Sequence, residues 1–448
     1  MTTIHADSAL IDEGWADKVR ITVADGTIGA IETGVEPRAG DERVTTLVPA
    51  MPNLHSHAFQ RAMAGLAERR GAGADSFWSW REAMYHVALT MTPDQMQAVA
   101  EHLYMEMLEA GFGRVGEFHY LHHDRDGSPY ADPAELAGRI VAASQETGIG
   151  LTLLPVFYAQ SGFGGQAPLP EQRRFIHSPD AYGRLVGRCR DWLASVPGAI
   201  LGLAPHSLRA VTPAQLAELL VLHPDGPIHI HVAEQVREVE DCLAWSGARP
   251  VEWLLDHAPV DPRWCLIHAT QMTEAEVLAT VARGATVGLC PITEANLGDG
   301  IFPARFLQAG GGFGVGSDSN VSISVAGELR QLEYSQRLAT RRRNVVAVPG
   351  GSTGEALFGR AITGGEQALG APGGLAVGAS ADLVALDRSA APYVSTEAML
   401  DHWIFVGDVT VDRVWVRGRR LVEQGQHIRR DAIAPRFHTT MAAVRAAL

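Results

Sequence analysis

A chain of 448 residues with 46% hydrophobic and 20% charged content has the make-up of a globular protein with room for one large core and a smaller domain. Its formal charge of −14 argues against a nucleic-acid partner, since phosphate-backbone binding rests on clustered Lys and Arg. A small anionic ligand remains admissible because local arginines can oppose the global sign. No apolar run approaches the ~20 residues of a membrane span, the first residues lack a signal-peptide layout, and Cys189, Cys242, Cys265 and Cys290 have no CxxC spacing. These features lead to expectations of no membrane partner, reduced buried thiols and a cytoplasmic location.

From the N-terminus, residues 19–23 alternate in hydrophobicity, Asp25-Gly26 is a hairpin signal, and residues 28–31 resume the alternation. Eight apolar runs follow, at 46–51, 114–118, 151–157, 200–204, 228–232, 264–267, 286–290 and 313–316. Helical patterns separate most of them, for example at 93–110, 132–147, 213–222, 236–243 and 274–282. Strands alternating with helices of this length predict a parallel sheet, and eight of them a closed barrel. The first linker, 58–92, is long and rich in Trp and Arg, and reads as a functional loop. Beyond the barrel, 382–386 and 411–416 read as strands and the Ala-rich stretch 439–448 as helix. The prediction is an α/β chain: a (β/α)8 TIM-like barrel over 49–375, and a small β-sandwich domain formed from 1–48 and 376–448, the latter also carrying the terminal helix.

Chemistry-bearing residues cluster where these runs end, where barrels of this kind carry their catalytic groups. His55-Ser56-His57 closes the first run, and alternate residues on a strand share a face, so both imidazoles can reach one ion. The fifth run reads Ile228-His229-Ile230-His231-Val232-Ala233-Glu234. It offers His231 as a ligand and Glu234 as a proton shuttle, while His229, deeper in the strand, reads as a hydrogen-bonded barrel histidine. His268 ends the sixth run, with the role of orienting a hydroxide or polarising substrate. Asp318, in Gly316-Ser317-Asp318 at the eighth, can complete a three-His, one-Asp set and accept a proton. Imidazoles of this kind suit zinc, with Fe2+ possible, and an open coordination position for water would make the site catalytic. Around the mouth, Gln60 follows the first pair, Tyr120 the second run and His206 the fourth. Arg209 and Arg81, the latter in the long linker, suit recognition of carboxylates.

The ordered set resembles the amidohydrolase superfamily over nearly the full chain, terminal sandwich included. Some members bridge two metals with a carbamylated lysine on strand 4. Lys18 is the sole lysine here, so that arrangement is ruled out and one metal per subunit is favoured. The segments 51–65, 77–85, 231–235 and 290–300 are similar to a deiminating branch of the superfamily. That resemblance implies a small-molecule dicarboxylate substrate with an amidine-like carbon, ammonia as product, proton delivery by Glu234, and a zinc-dependent homodimer. The main alternative, deamination of a purine or nucleoside derivative, would use the same metal residues but a pocket of amides, aromatics and carboxylates rather than paired arginines. A barrel that had lost catalysis would show gaps in the ligand set, and none is visible. An imidazolone-type amide hydrolase fits less well with an intact Glu234.

Overall fold

The computed structural model describes residues 2–68, 70, 77–222 and 225–447. Two sheets organise them. The first contains β1 (Thr2–Ile11), β2 (Gly14–Ala24), β3 (Thr27–Glu32) and β4 (Glu42–Pro49) from the N-terminal end. The second contains β5 (Met51–Ser56), β6 (Phe112–His119), β7 (Gly150–Phe157), β8 (Ile200–Leu201), β9 (Ala204–Pro205), β10 (Ile228–Val232), β11 (Trp264–His268), β12 (Thr286–Leu289) and β13 (Phe313–Val315). The chain then returns to the first sheet with β14 (Leu383–Asp387), β15 (Thr410–Val416), β16 (Arg419–Glu423) and β17 (Gln426–His427).

The second sheet is parallel in the order β10-β11-β12-β13-β5-β6-β7-β8, with β9 also paired to β7. It closes into a barrel through the bridges Leu203 to Ile228 and Ser207 to His231. Its strands are buried throughout, as in Ile228–Val232 and Trp264–His268, which is why they read as continuous apolar runs rather than alternating ones. Between them, the helices Pro93–Glu109, Pro213–Leu220 and Glu274–Arg283 start at Thr92, Thr212 and Thr273. Each threonine forms a capping box with the Gln or Glu three residues on.

The first sheet runs β17-β16-β15-β14-β4-β1-β2-β3, antiparallel except for β1 beside β4. It curls so that Val23 on β2 meets Gly418 in the β15–β16 turn, enclosing Ile4, Ile21, Leu47, Leu383 and Trp415. The hairpin at Asp25-Gly26 forms as expected, with φ of 53° and 83° at the two turn residues.

Four local readings differ from the structure. The run 46–51 is divided: β4 ends at Pro49 in the first sheet, and the barrel strand begins at Met51. Apolar continuity does not mark a change of hydrogen-bonding partner, and here Ala50 N–H pairs with Asp382 O while Met51 N–H pairs with Gly111 O. The run 200–204 forms two short strands, separated where Gly202 passes so close to Pro227 O that a Cβ would lie 2.7 Å from it. Residues 77–85 are not a loop but the start of the helix Phe77–Thr90, which turns Met84, Tyr85, Val87 and Ala88 inward at helical spacing. The terminal helix is longer than read, Arg430–Ala447, and includes Pro435.

Candidate active site

The C-terminal ends of β5, β10 and β13 bring His55, His57, His231 and Asp318 together, with one potential ligand atom from each lying within 4.8 Å of all the others. His55 Nε2 is 3.1 Å from the Nε2 atoms of both His57 and His231. Asp318 Oδ1 is 3.2 Å from His57 Nε2 and 3.5 Å from His55 Nε2. His57 Nδ1–H donates to Phe118 O (2.9 Å) and His231 Nδ1–H to His206 O (3.0 Å), which leaves their Nε2 atoms as lone-pair donors. A single proton on His55 Nε2 could serve only one of its two contacts. A tetrahedral zinc with bonds of ~2.0–2.1 Å puts ligand nitrogens about 3.3 Å apart, so these residues fit such an ion. Burial depresses the His55 pKa to about 3, and it holds His231 well below the usual histidine range. Both therefore present neutral rings. Burial alone would raise Asp318, but the facing His55 and His57 rings and the nearby His268 keep its carboxyl well below the ordinary range.

The backbone around this cluster is strained. Ala233, His268, Ala269, Asp318 and Asn320 all have positive φ, between 45° and 66°, costing on the order of 1–3 kcal/mol each. Hydrogen bonds hold the strain in place. Glu238 accepts from the N–H groups of Ala233 (3.2 Å) and Glu234 (3.1 Å). Asp318 N–H donates to His55 O (2.9 Å), and Asp318 O accepts from His57 N–H (3.0 Å). Asn320 Nδ2 donates to His57 O (3.0 Å), while Asn53 and Ser317 form a reciprocal pair across β5 and β13. Gly316 lets β13 close on β5, since a Cβ there would lie 2.7 Å from His55 O.

Glu234 and His268 stand beside the cluster. His268 Nε2 is 3.8 Å from Asp318 Oδ2 and 3.9 Å from Glu234 Oε1, and its Nδ1 is 3.2 Å from Glu294 Oε1. Against the effect of burial, Glu234, Glu294 and Asp318 hold the His268 pKa up to about 10. Burial raises the carboxyl pKa of Glu234, opposed chiefly by His268 and Arg209. Asp299, buried and facing Glu234, is raised as well. The site thus pairs a low-pKa carboxylate, Asp318, with one whose protonated form burial favours, Glu234, a division typical of acid–base chemistry.

Of the eleven residues singled out in the sequence, all but His55 line one cavity: His57, Gln60, Arg81, Tyr120, His206, Arg209, His231, Glu234, His268 and Asp318. His55 is fully buried behind it, and His229 instead bonds Ala368 O (2.7 Å). Gln60 Nε2 donates to Tyr120 OH (2.8 Å), and the His206 ring lies 4.9 Å from that of His231. Arg81, on the helix Phe77–Thr90, has its guanidinium 5.8 Å from the Tyr85 ring centroid. Sequence reasoning missed Tyr85, Tyr158 and Trp80 on the cavity wall, and the supporting groups Asn53, Glu238, Glu294 and Asn320. For Glu294 a signal existed, the 290–300 segment. Asn53 and Asn320 sit beside flagged ligands but have no spacing of their own.

Residues 46–421 match the family model described as Amidohydrolase family, and residues 1–45 match that of the formimidoylglutamate deiminase HutF N-terminal domain. Formimidoylglutamate deiminase of Pseudomonas aeruginosa is 51% identical over 446 residues, 98% of each chain. A 5-methylthioadenosine/S-adenosylhomocysteine deaminase of Natronomonas pharaonis is 25% identical, over 91% of this chain and 89% of that one. The crystal structure of an amidohydrolase from Brucella melitensis superposes with a TM-score of 0.97 at 58% identity, covering 99% of this chain and 100% of that one. An adenosine deaminase from Xanthomonas campestris, crystallised with bound zinc, shares the fold at 23% identity and a TM-score of 0.80, covering 99% of this chain and 98% of the other.

Proposed function

The chain belongs to the amidohydrolase family, and we propose that it hydrolyses N-formimidoyl-L-glutamate to N-formyl-L-glutamate and ammonia, a step of histidine degradation. The observation that carries this reading is the make-up of one cavity. It is lined by His57, His231 and Asp318, with His55 buried behind them, and Glu234, Arg81 and Arg209 share its walls. A substrate with an electrophilic amidine carbon and two carboxylates meets both features, whereas a purine offers the arginines no carboxylate.

We assign one zinc ion per subunit to His55, His57, His231 and Asp318, a donor set that also suits Fe2+. When bound, zinc supplies Lewis acidity that brings the pKa of a water toward neutrality. The protein's own groups do the rest. Asp318 accepts the proton of the attacking water, and His268 beside it orients that water toward the formimidoyl carbon. Glu234, whose protonated form burial favours, passes a proton to the terminal nitrogen. That proton and the one Asp318 took from the water make the nitrogen a leaving ammonia as its bond to carbon breaks, while the added hydroxyl gives its proton to Glu234 and becomes the formyl carbonyl. Arg209 and Arg81 hold the carboxylates, with His206, Tyr120 and Gln60 along the substrate's path.

The enzyme we propose works in the cytoplasm as a homodimer. Four free, buried cysteines support the compartment. Exposed Tyr334, Leu338 and Val406, near the stacked rings of Tyr334 and Phe405, support self-association. No helix among the described residues is long and apolar enough to cross a membrane. The test is ammonia release by zinc-loaded protein from N-formimidoyl-L-glutamate, with guanine and adenosine alongside. Release from the formimidoyl compound alone is expected. Release from a purine instead would overturn the carboxylate pocket while leaving the metal site standing. Light scattering of the purified protein tests the dimer.

A further inference from the structure

Two phenols on the cavity wall share one amide. Gln172, 1% exposed, donates from Nε2 to Tyr158 OH at 2.8 Å and to Tyr85 OH at 3.4 Å. The orientation of that amide is fixed, because its Oε1 accepts the N–H of Leu169 at 2.8 Å. Nε2 has only hydrogens to offer, so both phenol oxygens act as acceptors toward it. Each O–H proton must therefore point elsewhere, and among the described residues neither phenol donates it to a protein group. Both side chains line the cavity, which also contains Arg81 and Arg209. Burial, together with the neighbouring Tyr85, raises the Tyr158 phenol, so its proton stays on.

Position decides which part of a ligand these protons meet. The Tyr158 ring lies 4.6 Å from that of His206, which in turn lies 4.9 Å from that of His231. Tyr158 thus stands one ring farther from the metal cluster than His206, and Gln172 ties the Tyr85 hydroxyl to it. On an N-formimidoyl amino acid, the carboxylate remote from the reacting carbon is the one on the side chain. A carboxylate has only acceptors and matches two free O–H donors flanked by guanidinium groups.

We propose that Tyr158 and Tyr85, aligned by Gln172, donate their hydroxyl protons to the substrate's side-chain carboxylate and thereby set the enzyme's selectivity for an acidic side chain. The tyrosines are specificity residues and Gln172 is a positioning residue. The inference rests on the reading of the site given above and deepens it.

The experiment compares the parent with Tyr158→Phe, Tyr85→Phe, the double variant and Gln172→Glu. Ammonia release is measured with N-formimidoyl-L-glutamate and N-formimidoyl-L-glutamine, and binding of N-formyl-L-glutamate by calorimetry. Tyr158→Phe is expected to raise KM for the glutamate compound roughly tenfold with kcat within about threefold, the size of one hydrogen bond to a charged group. The double variant should raise it further. Both changes should cost the glutamine compound clearly less, because its neutral amide is a weaker acceptor than a carboxylate. Gln172→Glu keeps both phenols but replaces the donor with an acceptor that draws their protons away from the cavity. It is expected to reproduce the KM increase with an unchanged thermal midpoint, an outcome that a purely structural glutamine would not give. An unchanged KM in the double variant, or an equal penalty on the glutamine compound, would overturn the proposal. A parent that binds N-formyl-L-glutamate but releases no ammonia would sink the proposed reaction, and the carboxylate subsite would then be judged by the calorimetric affinities of the same variants. A parent that neither binds it nor releases ammonia would overturn both.

Discussion

The metal end of the cavity and its carboxylate end are built by different parts of the barrel. His55, His57, His231, His268 and Asp318 sit on or just past parallel strands, and His268 and Asp318 are themselves at positive φ. Arg81, Tyr85, Gln172 and Arg209 sit on connections between strands: the helix Phe77–Thr90, the short turn Pro170–Gln172 and the segment after β9. Strand ends are fixed by the sheet's own hydrogen bonds on both sides, so they can hold ligand atoms to tenths of an ångström. Connections vary without disturbing the sheet. On the proposed function, the reaction resides in the rigid end and the choice of substrate in the end that can change.

This division can be broken or sharpened by experiment. The largest effect is expected for Asp318→Ala, which removes one of the four converging groups. Ammonia release should fall by more than ~10⁴-fold, to background, and cation content, read by elemental analysis, should fall below one per chain. Glu234→Gln should lower kcat by ~10²–10⁴-fold while leaving cation content and KM nearly unchanged, because it removes a proton donor but no ligand. Arg209→Met should separate the two ends. An increase in KM of about 10–100-fold with kcat within about tenfold is expected, and a collapse of kcat at normal KM would place Arg209 with the reaction instead. Gly316→Ala would push a Cβ to 2.7 Å from His55 O. It should destabilise the fold by about 1–3 kcal/mol in denaturant titration, with some loss of bound cation.

The smallest effect is on pH dependence and lies beneath the metal end. Glu117, buried on β6, is raised to about 7 by burial, although it accepts from Ala58 N–H (2.6 Å) and Tyr104 OH (3.1 Å). A carboxyl raised in the folded state binds its proton more tightly there than in the unfolded chain. Its stabilising contribution is full below the ordinary glutamate range and is lost as pH rises through about 7. Thermal midpoints between pH 4.5 and 8 should show this decline, and Glu117→Gln should flatten it.

The two ends were also unequally legible in the sequence. HxH at the end of an apolar run, a second histidine on a buried strand and Gly-Ser-Asp after the last strand were readable because strand periodicity is short and local, and eight such runs allow few folds. Arg81 and Arg209 could be named only as arginines near a mouth, Tyr85 read as one of the packing aromatics of 77–85, and Tyr158 and Gln172 went unnoticed. They come from three separate connections, and nothing local in residues 85, 158 or 172 signals that one amide joins them. Glu238, Asn53 and Asn320 stayed hidden for a related reason: each satisfies backbone groups whose strained conformation exists only once the barrel has closed.

The sequence by itself determined the alternation of strand and helix, the identities of the ligating groups and, through the absence of lysine beyond Lys18, that no lysine bridges two metals. Only the tertiary structure decided where β4 gives way to β5, that residues 77–90 form a helix over the mouth, and which way each imidazole and phenol presents its proton. Composition and periodicity are properties of neighbours along the chain. The direction of a proton is set by whatever acceptor or donor lies opposite, and in a closed barrel those partners come from strands and connections far apart in sequence.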